Sequence, residues 1–322
     1  MRYRTLGLSG IRVSEIGLGM AAIGRPGYIN LGHGQDLAAS TSPAALERHA
    51  GTILDAARAA GITYFDAARS YGRAEEFLSH WLGDRDLRPS NVVVGSKWGY
   101  VYTADWQVDA DVHEVKIHTR ENLDRQHGES VSWLGGYLRL YQIHSATLES
   151  GVLDNPEIVR RLAELRDRDL LVGLSTSGPH QADTIRRALE VEVDGLPVFG
   201  AVQATWNLLE PSAGAALAEA ADAGLGVIVK EAVANGRLTP RNADVSERVN
   251  RVQPGWSLDA IAIAACLQQP WVSVVLSGAA TVKQLESNVN APSIPAGVLE
   301  SVPDLSEDSN AYWGTRSNLA WG

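Results

Sequence analysis

The segment Tyr64-Phe65-Asp66-Ala67-Ala68-Arg69-Ser70-Tyr71-Gly72 joins an apolar run to an acid and, five residues later, to a tyrosine. It places a carboxylate and a phenol together at one strand's exit. Further along, Lys97 follows Val92-Val93-Val94-Gly95-Ser96, and His144 follows Leu140-Tyr141-Gln142-Ile143, each again where an apolar run stops. A phenol with an ordinary pKa of about 10 is a poor acid at neutral pH, but a neighbouring ammonium stabilises the phenolate. A carboxylate beside that ammonium keeps it charged and oriented. The four types therefore compose a proton relay in which Tyr71 gives a proton, Lys97 tunes it, Asp66 anchors the lysine and neutral His144 holds a substrate oxygen. Such a set protonates a carbonyl oxygen while a separate reductant attacks the carbon.

The relay works only if strand ends meet. Residues 3–13 read as a small hairpin, residues 16–19 as a first strand, and residues 24–35 as a glycine-rich loop. Apolar runs then alternate with helical periodicity. Strands are expected over 63–67, 91–97, 137–143, 171–175, 199–204, 226–230 and 271–276, with helices between them. Ser42-Pro43, Asn155-Pro156 and Ser257 mark helix starts, since Ser and Asn cap and proline tolerates the first turn. Eight strand-then-helix units are the number that closes a parallel barrel, and its strand C-terminal ends share one face. The expectation is an α/β fold, a (β/α)8 TIM barrel spanning residues 1–322 as a single domain, with the N-terminal hairpin before it. Residues 292–322 carry Tyr312, Trp313, Arg316 and Trp321; they read either as a strap on the outside or as a flap over the barrel mouth.

Composition narrows the partners. In 322 residues, 45% are hydrophobic, 20% charged, and the net charge is −10, which disfavours nucleic acid and anionic lipid. No stretch resembles a secretion signal or a membrane span, so a soluble cytoplasmic protein is expected. Cys266, the single cysteine, lies among apolar neighbours and reads as a buried thiol. His113, His118 and His127 do not share one face at their spacing, and no metal site is expected.

Phe65-Asp66 through Tyr71-Gly72, Gly95-Ser96-Lys97-Trp98-Gly99 and Gln142-Ile143-His144 together resemble the aldo-keto reductase family over essentially the whole chain. That resemblance implies a nicotinamide dinucleotide bound in extended form, with hydride passing to an aldehyde or ketone. NADPH is the family's usual cofactor, with NADH possible. Ser175 and Gln203 resemble the family's contacts to the nicotinamide carboxamide, Thr176 stands where asparagine is common, and Trp206 stands where a tyrosine stacks on the ring. Lys230, Glu231 and Gly236 fall in a segment like the loop that wraps the pyrophosphate, Glu231 being either an outward acid or a partner for Lys230 or Arg237. Ser277, Gly278, Thr281, Gln284 and Asn288 resemble the clamp on the adenosine phosphate. Gln284 replaces an arginine that many members aim at the 2′-phosphate, and Lys283 is a candidate substitute.

Trp98, Tyr100, Tyr102 and Trp106 either line the mouth or pack against the third helix, and His33 sits in the first loop near the active face. The resemblance implies a small-molecule carbonyl or alcohol as substrate, and an aromatic mouth would suit either a bulky ketone or a sugar. Two rivals remain at this level: a nicotinamide-binding redox sensor with little turnover, and a barrel hydrolase or metal enzyme. The second requires more His and carboxylate ligands at strand ends than Asp66 and His144.

Overall fold

A computed structural model describes residues 1–37, 41–251 and 255–322. Eight parallel strands close into a barrel in chain order: β1 Ile16–Gly19, β2 Tyr64–Asp66, β3 Val93–Trp98, β4 Leu138–Ala146, β5 Leu171–Thr176, β6 Ala201–Thr205, β7 Gly226–Lys230 and β8 Val274–Ser277. Pairing of Val275 with Ile16 joins the last strand to the first. The outer layer is α1 Pro43–Ala59, α2 Ala74–Asp84, α3 Arg120–Leu134, α4 Pro156–Arg166, α5 Gln181–Leu189, α6 Gly214–Asp222, α7 Leu258–Leu267 and α8 Val282–Val289. The expected TIM barrel is the observed fold.

Local chemistry explains the helix starts. Ser42 Oγ accepts from Ala45 N at 3.4 Å and Asn155 Oδ1 from Glu157 N at 3.1 Å, each just before a proline in the first turn. Helix α1 buries Leu46, Ala50, Ile53, Leu54 and Ala57, a single stripe turned to the sheet. Ser257 does precede α7, but its side chain makes no cap; its hydroxyl pairs with that of Ser287 at 2.9 Å, tying α7 to α8.

The hairpin of Tyr3–Thr5 and Arg12–Ser14 stoppers the barrel's lower end. Leu6, Ile11 and Val13 descend into a cluster with Tyr64, Leu140, Ile228 and Val274 from the strand interiors. Tyr64 fits inside because Gly17 and Gly95 flank it: a Cβ at Gly95 would lie 2.4 Å from the Tyr64 hydroxyl oxygen. The phenol thereby spans the interior from the stopper toward the opposite end.

Several elements depart from the sequence expectation. After β3, where no strand was expected, Tyr100–Tyr102 pairs antiparallel with Glu114–Lys116 and builds a hairpin over the upper end. A short helix, His33–Leu37, lies within the first loop, a further helix, Ala243–Asn250, precedes α7, and helix Ser309–Ser317 stands in the tail. Strand β4 runs past His144 to Ala146, with its register to β5 shifting after Ile143 and Ser145 at φ 52°. Among the described residues, no helix is long and apolar enough to cross a membrane.

Leu6 is fully buried in the stopper. Leu6→Ala should therefore cost about 3 kcal/mol, the transfer loss plus an unfilled cavity, seen in urea unfolding as a lower midpoint at unchanged slope.

Candidate active site

Asp66 closes β2 and Lys97 lies one residue from the end of β3, and the pairing of Asp66 with Gly95 brings these strands' upper ends together. Lys97 Nζ forms a salt bridge with Asp66 and also donates to Ala67 O at 3.0 Å and to the Tyr71 hydroxyl at 3.4 Å. The Asp66 Oδ2 atom accepts from Gln203 Nε2 at 2.9 Å, from the Tyr64 hydroxyl at 3.2 Å and from Gln142 Nε2 at 3.4 Å. Four strands thus hold one carboxylate. His144 completes the cluster, its ring edge-on to Tyr71 with centroids 5.4 Å apart and its Nδ1 3.4 Å from Ser70 Oγ. Asp66, Tyr71, Lys97 and His144, expected from the sequence to converge, stand together at the barrel's upper end.

The electrostatics sort the roles. Burial, reinforced by the Asp66 charge, pushes the Tyr71 phenol well above its ordinary range, while Arg25 opposes the rise. Tyr71 therefore holds its proton at neutral pH. Burial, then the Lys97 and Arg25 charges, pulls the His144 imidazole far below its ordinary range. His144 is consequently neutral and offers a hydrogen bond without a charge.

Tyr71 and His144 line a cavity of about 330 Å³, which also includes Gln203, Lys230, Glu231, Ser277 and Gly278. A second cavity, of about 350 Å³, adjoins it through Asn30, Val233 and Gly278 and is lined by Gly236, Lys283, Gln284 and Asn288. Together they make one long cleft from Tyr71 to the start of α8. A nicotinamide dinucleotide fits this donor set. Asn235 Oδ1 is buried without a partner on the wall of the first cavity, where Arg25, Lys230 and Arg316 balance Asp66, Glu114 and Glu231, and Arg241 and Lys283 lie with Asp259 along the second.

The remaining expected contacts fall unevenly. Ser175 and Thr176 are buried at the end of β5, where Ser175 Oγ accepts from Ser145 N at 2.9 Å and Thr176 Oγ1 lies 3.4 Å from Gln181 Oε1. Trp206 is turned away from the cleft: its ring meets Trp271 edge-on at 5.7 Å and abuts Gly214 at the start of α6. The alternation of strand side chains explains this, since Gln203 points into the barrel and residues 204 and 206 must point out. Thr281 caps α8 by accepting from Gln284 N at 3.2 Å, and the Asn288 amide meets the Ser277 hydroxyl at 2.9 Å. The Gln284 side chain accepts from Ala280 N at 2.8 Å and donates to Asp36 Oδ2 at 3.0 Å, while Asp36 also pairs with Arg241. Asp36 and Arg241 had no sequence signal, because nothing local relates residues on opposite sides of the cleft.

Of the four aromatic candidates from the end of β3 onward, Tyr100 lines the cavity, whereas Trp98 is enclosed against His118, Tyr102 pairs with Glu114 in the hairpin and Trp106 packs on Phe77 of α2. His33 is also enclosed, edge-on to Tyr28 at 6.0 Å and facing the chain's last residues. His113 stacks on Trp321, His118 meets His144 O at 3.1 Å and His127 packs on Tyr141. Among the described residues no group of three His, Cys, Asp or Glu could hold a metal. Cys266 is buried, as its neighbours suggested.

The tail both packs against the barrel and lines the cleft. Tyr312 packs inside, its hydroxyl accepting from Asn207 Nδ2 at 3.0 Å, and Arg316 then pairs with Glu231. Trp321 reaches the cavity wall beside Arg25, and Gly322 exchanges two backbone hydrogen bonds of 3.2 Å with Tyr28. Glu231 is thus a partner of Arg316 and Lys230, while Arg237 pairs with Glu307. Burial would raise the Glu231 carboxyl, but Arg316 and Lys230 outweigh it and hold it at about 2. A carboxyl depressed on folding stabilises the native state above its unfolded pKa and ceases to do so as pH falls through the folded one. The wild type should therefore lose stability between about pH 4.5 and pH 2, and Glu231→Gln should show a shallower loss across that window in thermal melts.

Comparison with known proteins agrees with the barrel fold. The Aldo/keto reductase family profile matches residues 15–300. The uncharacterized oxidoreductase YqkF of Bacillus subtilis is 23% identical over 90% of this chain and 91% of its own length. A probable voltage-gated potassium channel subunit beta of Oryza sativa is 26% identical over 90% of this chain and 91% of its own. The holo form of aldo-keto reductase AKR11C1 from Bacillus halodurans superposes with a TM-score of 0.73 at 21% identity, covering 96% of this chain and 97% of that one, a likeness of fold. With a matching profile across most of its length and the barrel that carries it, the chain belongs to the aldo-keto reductase family and is an oxidoreductase.

Proposed function

We propose that the protein is an NAD(P)(H)-dependent carbonyl reductase or alcohol dehydrogenase, with Tyr71 as proton donor. The observation that carries this reading is the Lys97 amine lying between the Asp66 carboxylate and the Tyr71 phenol, with Asp66 and Tyr71 on the lining of the first of two adjoining cavities. When bound, the dinucleotide supplies or accepts the hydride. Gln203, Lys230 and Ser277 face the catalytic half of the cleft; Gln284, Asn288 and Lys283 face the other half.

In the reducing direction, Tyr71 gives its proton to the carbonyl oxygen as the carbon takes hydride. The electron pair left on the phenol oxygen is stabilised by Lys97, whose own position is set by Asp66 and Ala67 O. Neutral His144 orients the carbonyl without competing for the proton. Tyr28, Tyr100 and Trp321 give the mouth an aromatic lining that excludes water from the transfer. In the distal cavity, Lys283 and Arg241 favour a 2′-phosphate, which supports NADP(H), whereas Asp259 on the same lining and Asp36, the partner of Arg241, disfavour one and leave NAD(H) open. A cytoplasmic enzyme is the setting this reading assumes, where such dinucleotides are plentiful.

Tyr71→Phe removes the transferable proton and little volume. Turnover in a screen of aldehydes, ketones and sugars should fall by about 10²–10⁴-fold, while quenching of protein fluorescence by NADPH or NADH keeps the wild-type titration curve. Retained turnover would reject the proton-donor role. A wild type that binds dinucleotide but transfers hydride to no carbonyl would favour a cofactor-reading sensor instead.

A further inference from the structure

Arg25 has no part in that mechanism, yet at 2% exposure it is an almost wholly enclosed cation. Two glycines put it there. Gly24 O accepts from Arg73 N at 2.9 Å, and a Cβ on Gly24 would come within 2.5 Å of Tyr71 O. A Cβ on Gly72 would come within 2.8 Å of Arg25 Cβ. The loops after β1 and β2 therefore meet backbone to backbone, which larger residues would prevent, and Arg25 lands against the catalytic loop. Its Nη1 donates to Ser70 O at 2.8 Å and to Glu114 Oε2 at 2.9 Å. Its Cζ stands 5.5 Å from the centre of the Tyr71 ring, and Lys97 Nζ stands 4.8 Å from that centre.

Resting on the reading of Tyr71 as proton donor, we propose that Arg25 is a positioning residue for that phenol: it ties down the loop through Ser70 and sets a second cation, beside Lys97, near the ring. When the phenol's O–H bond breaks, the proton passes to the carbonyl oxygen and the electron pair stays on Tyr71. Arg25 remains charged throughout, because a guanidinium does not surrender its proton in a protein.

The groups facing Tyr71 from other elements show why a second cation matters. Asp66 from β2, Glu114 from the hairpin after β3 and Glu231 just after β7 all disfavour the phenolate, and Arg25 opposes them. His144 from β4 and the Tyr28, Tyr64 and Tyr100 phenols are uncharged, their titrations displaced by burial. Lys230 from β7 and Arg316 from the tail are engaged with Glu231. Glu114 does not cancel Arg25, since its side chain is 23% exposed against 3% for Arg25 and is better screened by water.

The test uses the full chain without cofactor, labelled with difluorotyrosine, whose phenols titrate below those of tyrosine. Fluorine NMR follows the Tyr71 signal, identified as the one lost in Tyr71→Phe. Arg25→Met should raise its midpoint by about one unit, Arg25→Gln should do the same while keeping a donor for Ser70 O, and Arg25→Lys should restore at least half the difference. In parallel, kcat for reduction of para-nitrobenzaldehyde with NADPH should fall about tenfold in the Met and Gln variants with KM within twofold, and recover in the Lys variant. An unchanged midpoint in the folded Met and Gln variants, a Lys variant no better than either, or a wild-type Tyr71 signal that does not titrate would overturn the proposal. The titration needs no turnover, so a wild type that reduces no carbonyl counts against the proton-donor reading alone.

Discussion

The upper end of this barrel depends on one buried ion pair. Lys97 and Asp66 are both almost completely enclosed, and charges taken out of water are tolerated only when every lone pair and proton finds a partner. The partners come from the barrel itself: Gln142 from β4, Gln203 from β6 and Tyr64 from β2 on the acid, and Ala67 O on the amine. A closed sheet can deliver donors from so many directions to one point, whereas an open sheet leaves one side to solvent. The pair in turn fixes where the Tyr71 hydroxyl rests.

The same constraint organises the mouth. Glu231 follows β7 at φ 56°, a conformation seldom adopted outside glycine, and its carboxylate is buried. Arg316 from the tail and Lys230 beside it neutralise that charge, so the tail helix is held over the cleft by electrostatics as well as by the Tyr312 packing beneath. Arg25 and Glu114 repeat the arrangement on the other wall, with Trp321 laid over the guanidinium at 4.7 Å. The mouth of the cleft is thus bounded by ion pairs contributed by the first loop, the hairpin after β3, the end of β7 and the tail.

Much of this was legible in the chain. Asp66, Lys97 and His144 announced themselves because each ends an apolar run, and a run's end in a parallel barrel is always the same face, while Tyr71 stood out by following Asp66 five residues on. Helix starts were visible in Ser42-Pro43 and Asn155-Pro156, whose preferences are local. What escaped was non-local or too short to have a period. The hairpin strands 100–102 and 114–116 have three residues each and exist by pairing across an intervening loop. The family resemblance implied a stacking ring at Trp206, but the alternation of a strand that aims Gln203 inward sends it to the outer layer.

By itself, then, the sequence determined the barrel, its helices and the identities of the acid, amine, phenol and imidazole, since these follow from local periodicity and from where hydrophobic runs break. Only the tertiary structure decided which distant groups surround them. Arg25 reached Tyr71 through contact between two glycine-bearing loops, Arg316 reached Glu231 across 85 residues, and Asp36 met Gln284 and Arg241 over the distal cleft. Partnerships of this kind arise from barrel closure and the burial of charge, and no short window of the chain encodes them.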